Sequence, residues 1–346
     1  MINSGKDIFQ QVQKFKPKKI TCEKIKEETI FDSRTKKEFD LFHIPQAIHI
    51  PITSNKEYHE VGYLYKQVSP EVAYDLGFNY IFKNVEEIIK KALPYKNEKI
   101  IIYCSRGGIR SKTLTYLLNQ QGFDVIQLES GMKAYRNFIL EQLESIKLPE
   151  IIILQGLAGS RKTTLLENLN NKIDLELCAK HNSSAYGALD HEPNSQKQFL
   201  FDLFEQLKKV QNFKQIYIEG EARKIGSVII PERIWTEMTK AKIIFLEVSL
   251  ENRAKHFAET YPDMKTYLVT YIEQTNSLKK FMSNSLREKL IQLIIENKAY
   301  EFWYLILKEH YDPKYEHAFK TMNFDKKIDA NDFKKTLKYL KNLERI

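Results

Sequence analysis

Cys104 is the residue of this chain whose surroundings best suit nucleophilic chemistry. It follows the apolar residues 100–103, and a helix pattern begins at residue 109. Four residues suited to holding an anion surround this turn: Arg106, Gly107, Gly108 and Arg110. The glycines allow a tight loop whose N–H groups point inward, and the N-terminus of the helix adds partial positive charge. These features favour the thiolate and an anionic substrate.

The size of this loop indicates which anion it holds. Five residues separate Cys104 from Arg110, and a ring of that size lets backbone amides surround a tetrahedral oxyanion such as phosphate. Protein phosphatases have the same ring, but Tyr103 stands where they usually have histidine, and the sequence places no aspartate as general acid. The pattern therefore predicts an anion site with a working thiol and disfavours a phosphatase.

The other cysteines, Cys22 and Cys178, have no such neighbours, so we expect structural roles for them. Three widely spaced cysteines without a CxxC pair predict neither a disulfide framework nor a zinc site. Any cysteine chemistry therefore belongs to Cys104.

A second anion-binding pattern follows the apolar residues 151–154 and precedes a helix. Backbone amides of such a loop cradle phosphates, Lys162 neutralises them, and the Thr163 hydroxyl can reach a magnesium ion. Arg161 replaces the second glycine of the pattern, which disfavours ordinary nucleotide hydrolysis. The candidate phosphate-binding residues are Gly156, Gly159, Ser160, Arg161, Lys162 and Thr163.

Two acidic residues, Glu219 and Glu221, end the strand pattern at residues 215–219, where a phosphate-loop protein places metal-proximal carboxylates. Strand spacing points both to one face. The alternative is a solvated strand end, and we predict no metal site held by the protein alone, although a magnesium ion bound with a phosphate substrate is compatible with the pattern.

The elements that must position these loops alternate between strand and helix patterns twice along 346 residues, which predicts two α/β domains. Pro149 marks the junction, so we expect domains at residues 1–148 and 149–346. Strand patterns lie at residues 29–32, 47–50, 99–104, 125–128, 151–155, 215–219 and 242–248. After residue 248 we expect only helices, which form a C-terminal extension.

Charge and hydropathy limit where the protein acts. The net charge of +9 is compatible with a phosphate-rich partner. No apolar run approaches the roughly 18–20 residues that cross a bilayer, and the N-terminus lacks the apolar core of a signal peptide. We therefore expect a cytoplasmic protein without membrane contact.

The motifs together resemble a known family. Residues 30–34 and 42–51, with the Cys104 loop, resemble the rhodanese fold. A rhodanese-like domain followed by a phosphate-loop domain resembles the bacterial tRNA 2-selenouridine synthase family. Further segments of similarity are residues 61–67, 128–136, 181–187, 193–199, 219–226 and 310–315. Arg161 and residues 220–222 depart from the family pattern.

The resemblance implies replacement of the 2-thio sulfur of a wobble uridine in tRNA by selenium, with selenophosphate as donor, and geranyl transfer from geranyl diphosphate to that sulfur. A selenophosphate-supplying enzyme is a further possible partner. Cys104 would be the catalytic thiol, and Arg106, Gly107, Gly108 and Arg110 would bind selenophosphate. Gly156, Gly159, Ser160, Arg161, Lys162 and Thr163 would hold the diphosphate. Arg223 is either a further phosphate ligand or a plain surface arginine.

The C-terminal lysines allow two interpretations. They either grip the tRNA backbone or form a solvated helix face. The residues concerned are Lys326, Lys327, Lys334, Lys335, Lys338 and Lys341.

Two other functions remain open at this point. The first is a rhodanese-type sulfurtransferase fused to an ATP-binding NTPase domain, which moves sulfane sulfur from Cys104 with ATP hydrolysis. The second is a nucleotide-binding regulatory module whose rhodanese domain is degenerate.

Overall fold

The structure is a computed structural model that describes residues 4–181, 186 and 192–343. The chain divides into two compact units, Met1–Glu144 and Ser145–Ile346. The predicted junction at Pro149 lies in the extended segment that joins the last helix of the first unit to the first strand of the second.

The first unit is built on a five-stranded parallel sheet with the order β1-β5-β4-β2-β3. Its strands are β1 (Lys19–Ile20), β2 (Thr29–Asp32), β3 (Ile48–His49), β4 (Lys99–Tyr103) and β5 (Asp124–Leu128). Its helices are α1 (Gly5–Lys14), α2 (Lys36–Leu41), α3 (Asn55–Gln67), α4 (Pro70–Ala92), α5 (Ile109–Gln120) and α6 (Gly131–Ser145). The apolar residues of β4 are fully buried because helices cover both faces of a parallel sheet. Cys104 therefore follows the central strand, at the edge where ligands bind such sheets.

Helix α4 is longer than its amphipathic pattern predicts, because that pattern covers only residues 85–93. Ser69 caps it by accepting a hydrogen bond from the Val72 N–H, and Pro70 occupies its first turn. Gly77 and polar residues interrupt the apolar periodicity of its first half, which nevertheless buries Phe78 and Ile81. Packing against α1 and α3 compensates for the weak local pattern.

The second unit contains a five-stranded parallel sheet with the order β12-β11-β6-β8-β7 and a two-stranded antiparallel ribbon, β9-β10. Its strands are β6 (Glu150–Gln155), β7 (Lys172–Ile173), β8 (Gln215–Glu219), β9 (Lys224–Ile225), β10 (Val228–Ile229), β11 (Lys242–Glu247) and β12 (Lys326–Asp329). Its helices are α7 (Lys162–Glu167), α8 (Leu175–Ala179), α9 (Gln196–Val210), α10 (Glu232–Lys240), α11 (Leu250–Thr260), α12 (Leu268–Ser277), α13 (Asn284–Ile295), α14 (Ala299–Ile306), α15 (Asp312–Lys320) and α16 (Phe333–Leu343).

Strand β12 corrects the expectation that no strand follows residue 248. It pairs with β11 in parallel and forms an edge of the sheet, so Lys326 and Lys327 belong to a strand and not to a helix. Edge strands carry exposed charges, and this short polar segment therefore lacks the apolar pattern that predicts a strand. Lys334, Lys335, Lys338 and Lys341 do lie on α16, where all four are exposed.

The helical extension folds around its own aromatic core, in which Trp303 is buried against Phe257, Tyr261, Tyr186 and Phe302. The aromatic side chains that contact Trp303 therefore form the core of this extension. Within the described part of the chain, no helix is both long and apolar enough to cross a membrane.

Candidate functional site

The Cys104 thiol is buried at the end of β4, where two groups point at its sulfur. The Gly108 N–H donates a hydrogen bond to Sγ over 3.3 Å, and the Ser111 Oγ lies 3.2 Å from Sγ. Gly108 precedes α5, so the sulfur lies at the N-terminus of a helix, as the sequence predicted. The sulfur therefore faces a backbone N–H and a hydroxyl at the edge of the sheet.

Gln127, which the sequence analysis missed, orients the Ser111 hydroxyl. Its Nε2 donates to Ser111 Oγ over 2.8 Å and to the Gly107 carbonyl over 3.0 Å. Because the Ser111 oxygen accepts this bond, its own proton is directed to Cys104 Sγ or to the Gly108 carbonyl, 3.3 Å away. The available signal was a glutamine within the apolar run of β5, and the structure leaves it only 2% exposed.

A second loop, residues 129–131, supports the cysteine loop from behind. Gly107 and Gly131 both have positive φ, at 61° and 56°. A Cβ on Gly131 would lie 2.1 Å from the Cys104 carbonyl oxygen, and one on Gly107 would lie 2.8 Å from the Ser130 nitrogen. The Met132 N–H donates to the Cys104 carbonyl over 2.9 Å. Both glycines are therefore needed for this close approach.

The two arginines of the cysteine loop differ in their surroundings. Arg106 is exposed. Arg110 instead forms a two-pronged ion pair with Glu38, at 2.5 and 3.1 Å, and donates to Ser105 Oγ over 2.9 Å. Burial alone raises the pKa of Glu38, but the bonds and charge of Arg110, with Ser105, outweigh burial and hold this pKa at about 2. Glu38 thus fixes Arg110 beside the loop and offsets part of its charge.

Other polar residues of the segments that resemble rhodanese stabilise the fold around the cysteine loop. Arg34 and Asp32 form a fully buried ion pair at 2.6 Å, and the Tyr103 hydroxyl donates to Asp32 over 2.6 Å. His43 and His49 bond to backbone carbonyls through one ring nitrogen each, at 2.9 Å. These contacts give both histidines and Tyr103 structural roles.

The phosphate-loop segment of the second unit turns through Arg161, which has a left-handed backbone with φ of 61°. This is the position where the pattern asks for glycine, so the backbone keeps the required turn despite the arginine. Arg161 lies near His256, whose pKa is lowered to about 4 by burial and then by the charge of Arg161. Lys162 Nζ donates to the Gly156 carbonyl over 3.2 Å, and the Ser160 hydroxyl is buried.

Arg253, on α11, supports this loop, although the sequence analysis did not single it out. Its guanidinium is buried, donates to the Ala158 carbonyl over 3.1 Å and pairs with Asp312 at 2.8 and 2.6 Å. A Cβ on Gly159 would lie 3.0 Å from the Arg253 carbonyl oxygen, so the loop packs directly on this residue. Asp312 belongs to the segment 310–315 that resembles the family.

Three carboxylates meet beside Lys162 and Thr163. Glu176, Glu219 and Glu221 each place an oxygen within 4.8 Å of the others, and Thr163 Oγ1 lies 3.4 Å from Glu176 Oε2. Glu219 is 1% exposed, and its Oε1 has no hydrogen-bond partner among the described residues. Burial, followed by the charge of Glu176, raises the pKa of Glu219 well above its usual range. The sequence identified Glu219 and Glu221, whereas Glu176 comes from α8.

A cavity of about 240 Å³ opens on this cluster. Its lining includes Gly156, Lys162, Glu221 and Tyr315. The pKa of Tyr315 is raised by burial and then by the charges of Glu221 and Glu176, which places this phenol near both carboxylates. The cavity therefore combines a loop of the phosphate-binding pattern, one carboxylate of the cluster and aromatic side chains.

Arg223 is not itself among the described residues that line this cavity, although its neighbours Ala222 and Lys224 are. It pairs with Glu232 at the surface, where nearly half of its side chain is exposed. This placement agrees with the alternative of a plain surface arginine. Of the similar segment 181–187, residues 182–185 and 187 lie outside the described residues.

Comparisons with known proteins agree with this two-part architecture. Residues 149–296 match the family model described as the tRNA 2-selenouridine synthase AAA domain, and residues 18–138 match the rhodanese-like domain. These matches confirm the predicted fold class, a rhodanese-like domain followed by a phosphate-loop α/β domain with a helical C-terminal extension.

Several curated relatives align along most of the chain. The tRNA 2-selenouridine synthase of Sulfurovum sp. (strain NBC37-1) is 28% identical over 83% of this chain and 88% of its own length. Its counterpart from Psychromonas ingrahamii is 25% identical over 90% of this chain and 92% of its own length. The tRNA 2-selenouridine synthase of Pseudomonas syringae pv. syringae is 31% identical over 67% of this chain and 65% of its own length. Because both domains match in this order and whole relatives align with them, the chain belongs to the tRNA 2-selenouridine synthase family.

Proposed function

We propose that this protein replaces the 2-thio sulfur of the wobble uridine in tRNA by selenium, with selenophosphate as donor and a geranylated tRNA as intermediate. The observation that carries the proposal is that each unit contains one loop whose residues suit an anion, and that the loop of the first unit also contains the buried Cys104 thiol. Two phosphorylated donors need two such loops.

The two reactions make chemical sense in sequence. In the first, the thiocarbonyl sulfur attacks C1 of geranyl diphosphate, forms a C–S bond and releases diphosphate. In the second, the selenium of selenophosphate bonds to C2 of the uridine while the C2–S bond breaks and geranyl thiol leaves. Hydrolysis of the Se–P bond then releases phosphate. Alkylation is the useful step because it converts a poor sulfur leaving group into a thiol.

The Cys104 loop suits the second reaction. Its exposed Arg106 attracts selenophosphate, and Arg110 offers a guanidinium that Glu38 holds in a fixed orientation. Cys104 accepts a hydrogen bond from the Gly108 N–H and lies beside the Ser111 hydroxyl, and this setting supports the proposal of a thiolate next to the bound donor. We assign this thiol to selenium transfer or to assistance of sulfur departure.

The phosphate loop and its cavity suit geranyl diphosphate. Lys162 and the loop amides neutralise the diphosphate, and Tyr315 and Phe319 give the cavity an apolar wall for the prenyl chain. The carboxylate cluster fits a magnesium ion, because Glu219 is buried with an unpartnered oxygen and Thr163 lies beside Glu176. Thr163, Glu176, Glu219 and Glu221 would hold the ion, which neutralises the diphosphate leaving group when bound.

Two variants separate the half-reactions. Lys162→Ala removes the charge that binds the diphosphate, so geranyl transfer to thiolated tRNA should fall at least tenfold, while a synthetic geranylated tRNA given selenophosphate should still be selenated. Cys104→Ser should abolish selenation of the same geranylated tRNA and leave geranyl transfer intact. Cys22→Ser and Cys178→Ser serve as matched controls, and both should keep full activity.

Nucleoside analysis by mass spectrometry measures each product. Near-normal selenation by Cys104→Ser would refute the thiol assignment, and equal loss of both half-reactions in Lys162→Ala would argue for one shared site. Robust tRNA-stimulated ATP hydrolysis by the unmodified protein would favour the sulfurtransferase fused to an NTPase instead.

A further inference from the structure

Helix α3 lies between β3 and α4 in the chain, and one of its sides exposes both basic and aromatic side chains. None of its residues is buried. Helical spacing places Lys56, His59, Tyr63 and Lys66 on one side, and all four are exposed. Tyr63 is 60% exposed, which is high for a large aromatic residue. This side therefore presents cations and an aromatic ring together.

The acidic residues of α3 are engaged elsewhere. Glu57 accepts a hydrogen bond from the Ser54 N–H over 2.7 Å and another from Asn84 over 3.4 Å. Glu60 accepts a hydrogen bond from the Tyr80 hydroxyl on α4. No described carboxylate pairs with Lys56 or Lys66, so their charges are available to an anionic partner.

Tyr58 and Arg110 extend this surface towards the cysteine loop. Tyr58 is 42% exposed, and the Arg110 guanidinium lies over its ring at 4.4 Å. Arg110 in turn donates to Ser105, the neighbour of Cys104. Gly62 lies on the same side, and a Cβ there would meet nothing within 4 Å, so the helix leaves open space between its tyrosines. The surface is continuous with the Cys104 site.

The chemistry of this surface selects its partner. Exposed tyrosines stack with unpaired bases, and lysines neutralise the phosphates of the same strand. A duplex would offer phosphates but no base faces, and it would leave the tyrosines unused. A protein partner would favour an apolar centre, whereas lysines, a histidine and tyrosines make up this side of α3, and the exposed Val68 and Val72 follow the end of the helix.

We infer that the α3 surface, defined by Lys56, Tyr58, His59, Tyr63 and Lys66, binds the single-stranded loop of the RNA substrate and delivers the target base to Cys104. Tyr63 stacks on a loop base, Tyr58 stacks on the base nearest the cysteine loop, and Lys56 and Lys66 contact phosphates. This inference rests on the proposed function, since it takes RNA as the substrate of the Cys104 site.

Fluorescence anisotropy with the full chain and a labelled anticodon stem-loop tests the inference. Tyr63→Ala should weaken binding at least fivefold, the lower limit for loss of one stacked base at about 1 kcal/mol. Replacing Lys56 and Lys66 by Gln should reduce the salt dependence of log K by about 1.4, from about 0.7 per phosphate contact on single-stranded RNA. An unlabelled RNA duplex of equal length should compete poorly.

Matched controls use exposed residues of the same types elsewhere. Tyr267→Ala removes a tyrosine of the second unit, and Lys90→Gln removes a lysine from the last turn of α4. Both should leave affinity and salt dependence within twofold of the unmodified protein. Far-UV circular dichroism confirms that α3 is retained in each variant.

The inference is overturned if Tyr63→Ala and the double lysine variant both bind the stem-loop within twofold of the affinity of the unmodified protein. It is also overturned if duplex RNA competes as well as the stem-loop does. The proposed function fails differently. If the unmodified protein binds the stem-loop and the α3 variants weaken binding, yet no selenium enters the RNA, the surface stands and the reaction assignment falls.

Discussion

The ion pair between Glu38 and Arg110 makes a pH-dependent contribution to the stability of the first unit. Glu38→Gln keeps the shape of the side chain and removes its charge. The pKa of Glu38 is about 2 in the folded protein against 4.5 for the ordinary side chain, a difference of about 2.5 units. At about 1.4 kcal/mol per unit, the charged form stabilises the folded state by about 3 kcal/mol at pH 7.

The sign of this effect follows from the depressed pKa. A carboxylate with a lowered folded pKa stabilises the protein above its unfolded pKa, and the contribution disappears as pH falls through the folded pKa. For Glu38, the contribution is complete above about pH 5.5, falls to about 1 kcal/mol at pH 3 and is nearly absent at pH 2.

Urea unfolding of the full chain, followed from pH 7 to pH 3, measures this contribution. At pH 7, the free energy of unfolding of the first unit should be lower by about 3 kcal/mol in Glu38→Gln than in the unmodified protein. The unfolding free energies of the two proteins should converge as the pH falls. Glu87→Gln is the control, because Glu87 forms an exposed pair with Lys91 on α4 and should change stability far less. A difference that stays constant with pH, or a loss below about 1 kcal/mol at pH 7, would refute the reasoning.

Three further substitutions test the loops and their supports. Gly131→Ala forces a Cβ against the Cys104 carbonyl and should cost more than about 2 kcal/mol of unfolding free energy together with selenation activity, whereas Gly122→Ala, also at positive φ but with open space, should cost about 1 kcal/mol. Arg161→Gly removes left-handed strain and should stabilise the second unit by about 1 kcal/mol, while calorimetry should show weaker geranyl diphosphate binding. Asp312→Asn leaves the Arg253 guanidinium buried without a carboxylate, so thermal unfolding of the second unit should lose about 3–5 kcal/mol, and full stability in this variant would contradict the role of the pair.

The sequence by itself determined the features that depend on neighbouring residues. The Cys104 loop and the loop from Gly156 to Thr163 are each a continuous run in which glycines, cations and a following helix are encoded together. Strands β2 and β8 lie where their apolar patterns predicted, because buried strands of a parallel sheet are continuous apolar runs. The domain order and the family follow from these local patterns.

Only the tertiary structure decided which distant side chains complete the two sites. Glu38 meets Arg110 across 72 positions, and Arg253 meets Asp312 across 59. Gln127 orients Ser111, and Glu176 joins Glu219, because parallel packing brings separate elements to one sheet edge. Strand β12 likewise forms only because β11 offers it an edge with which to pair. No local pattern specifies such partners, since their selection depends on packing and on the pairing of buried charges between remote segments.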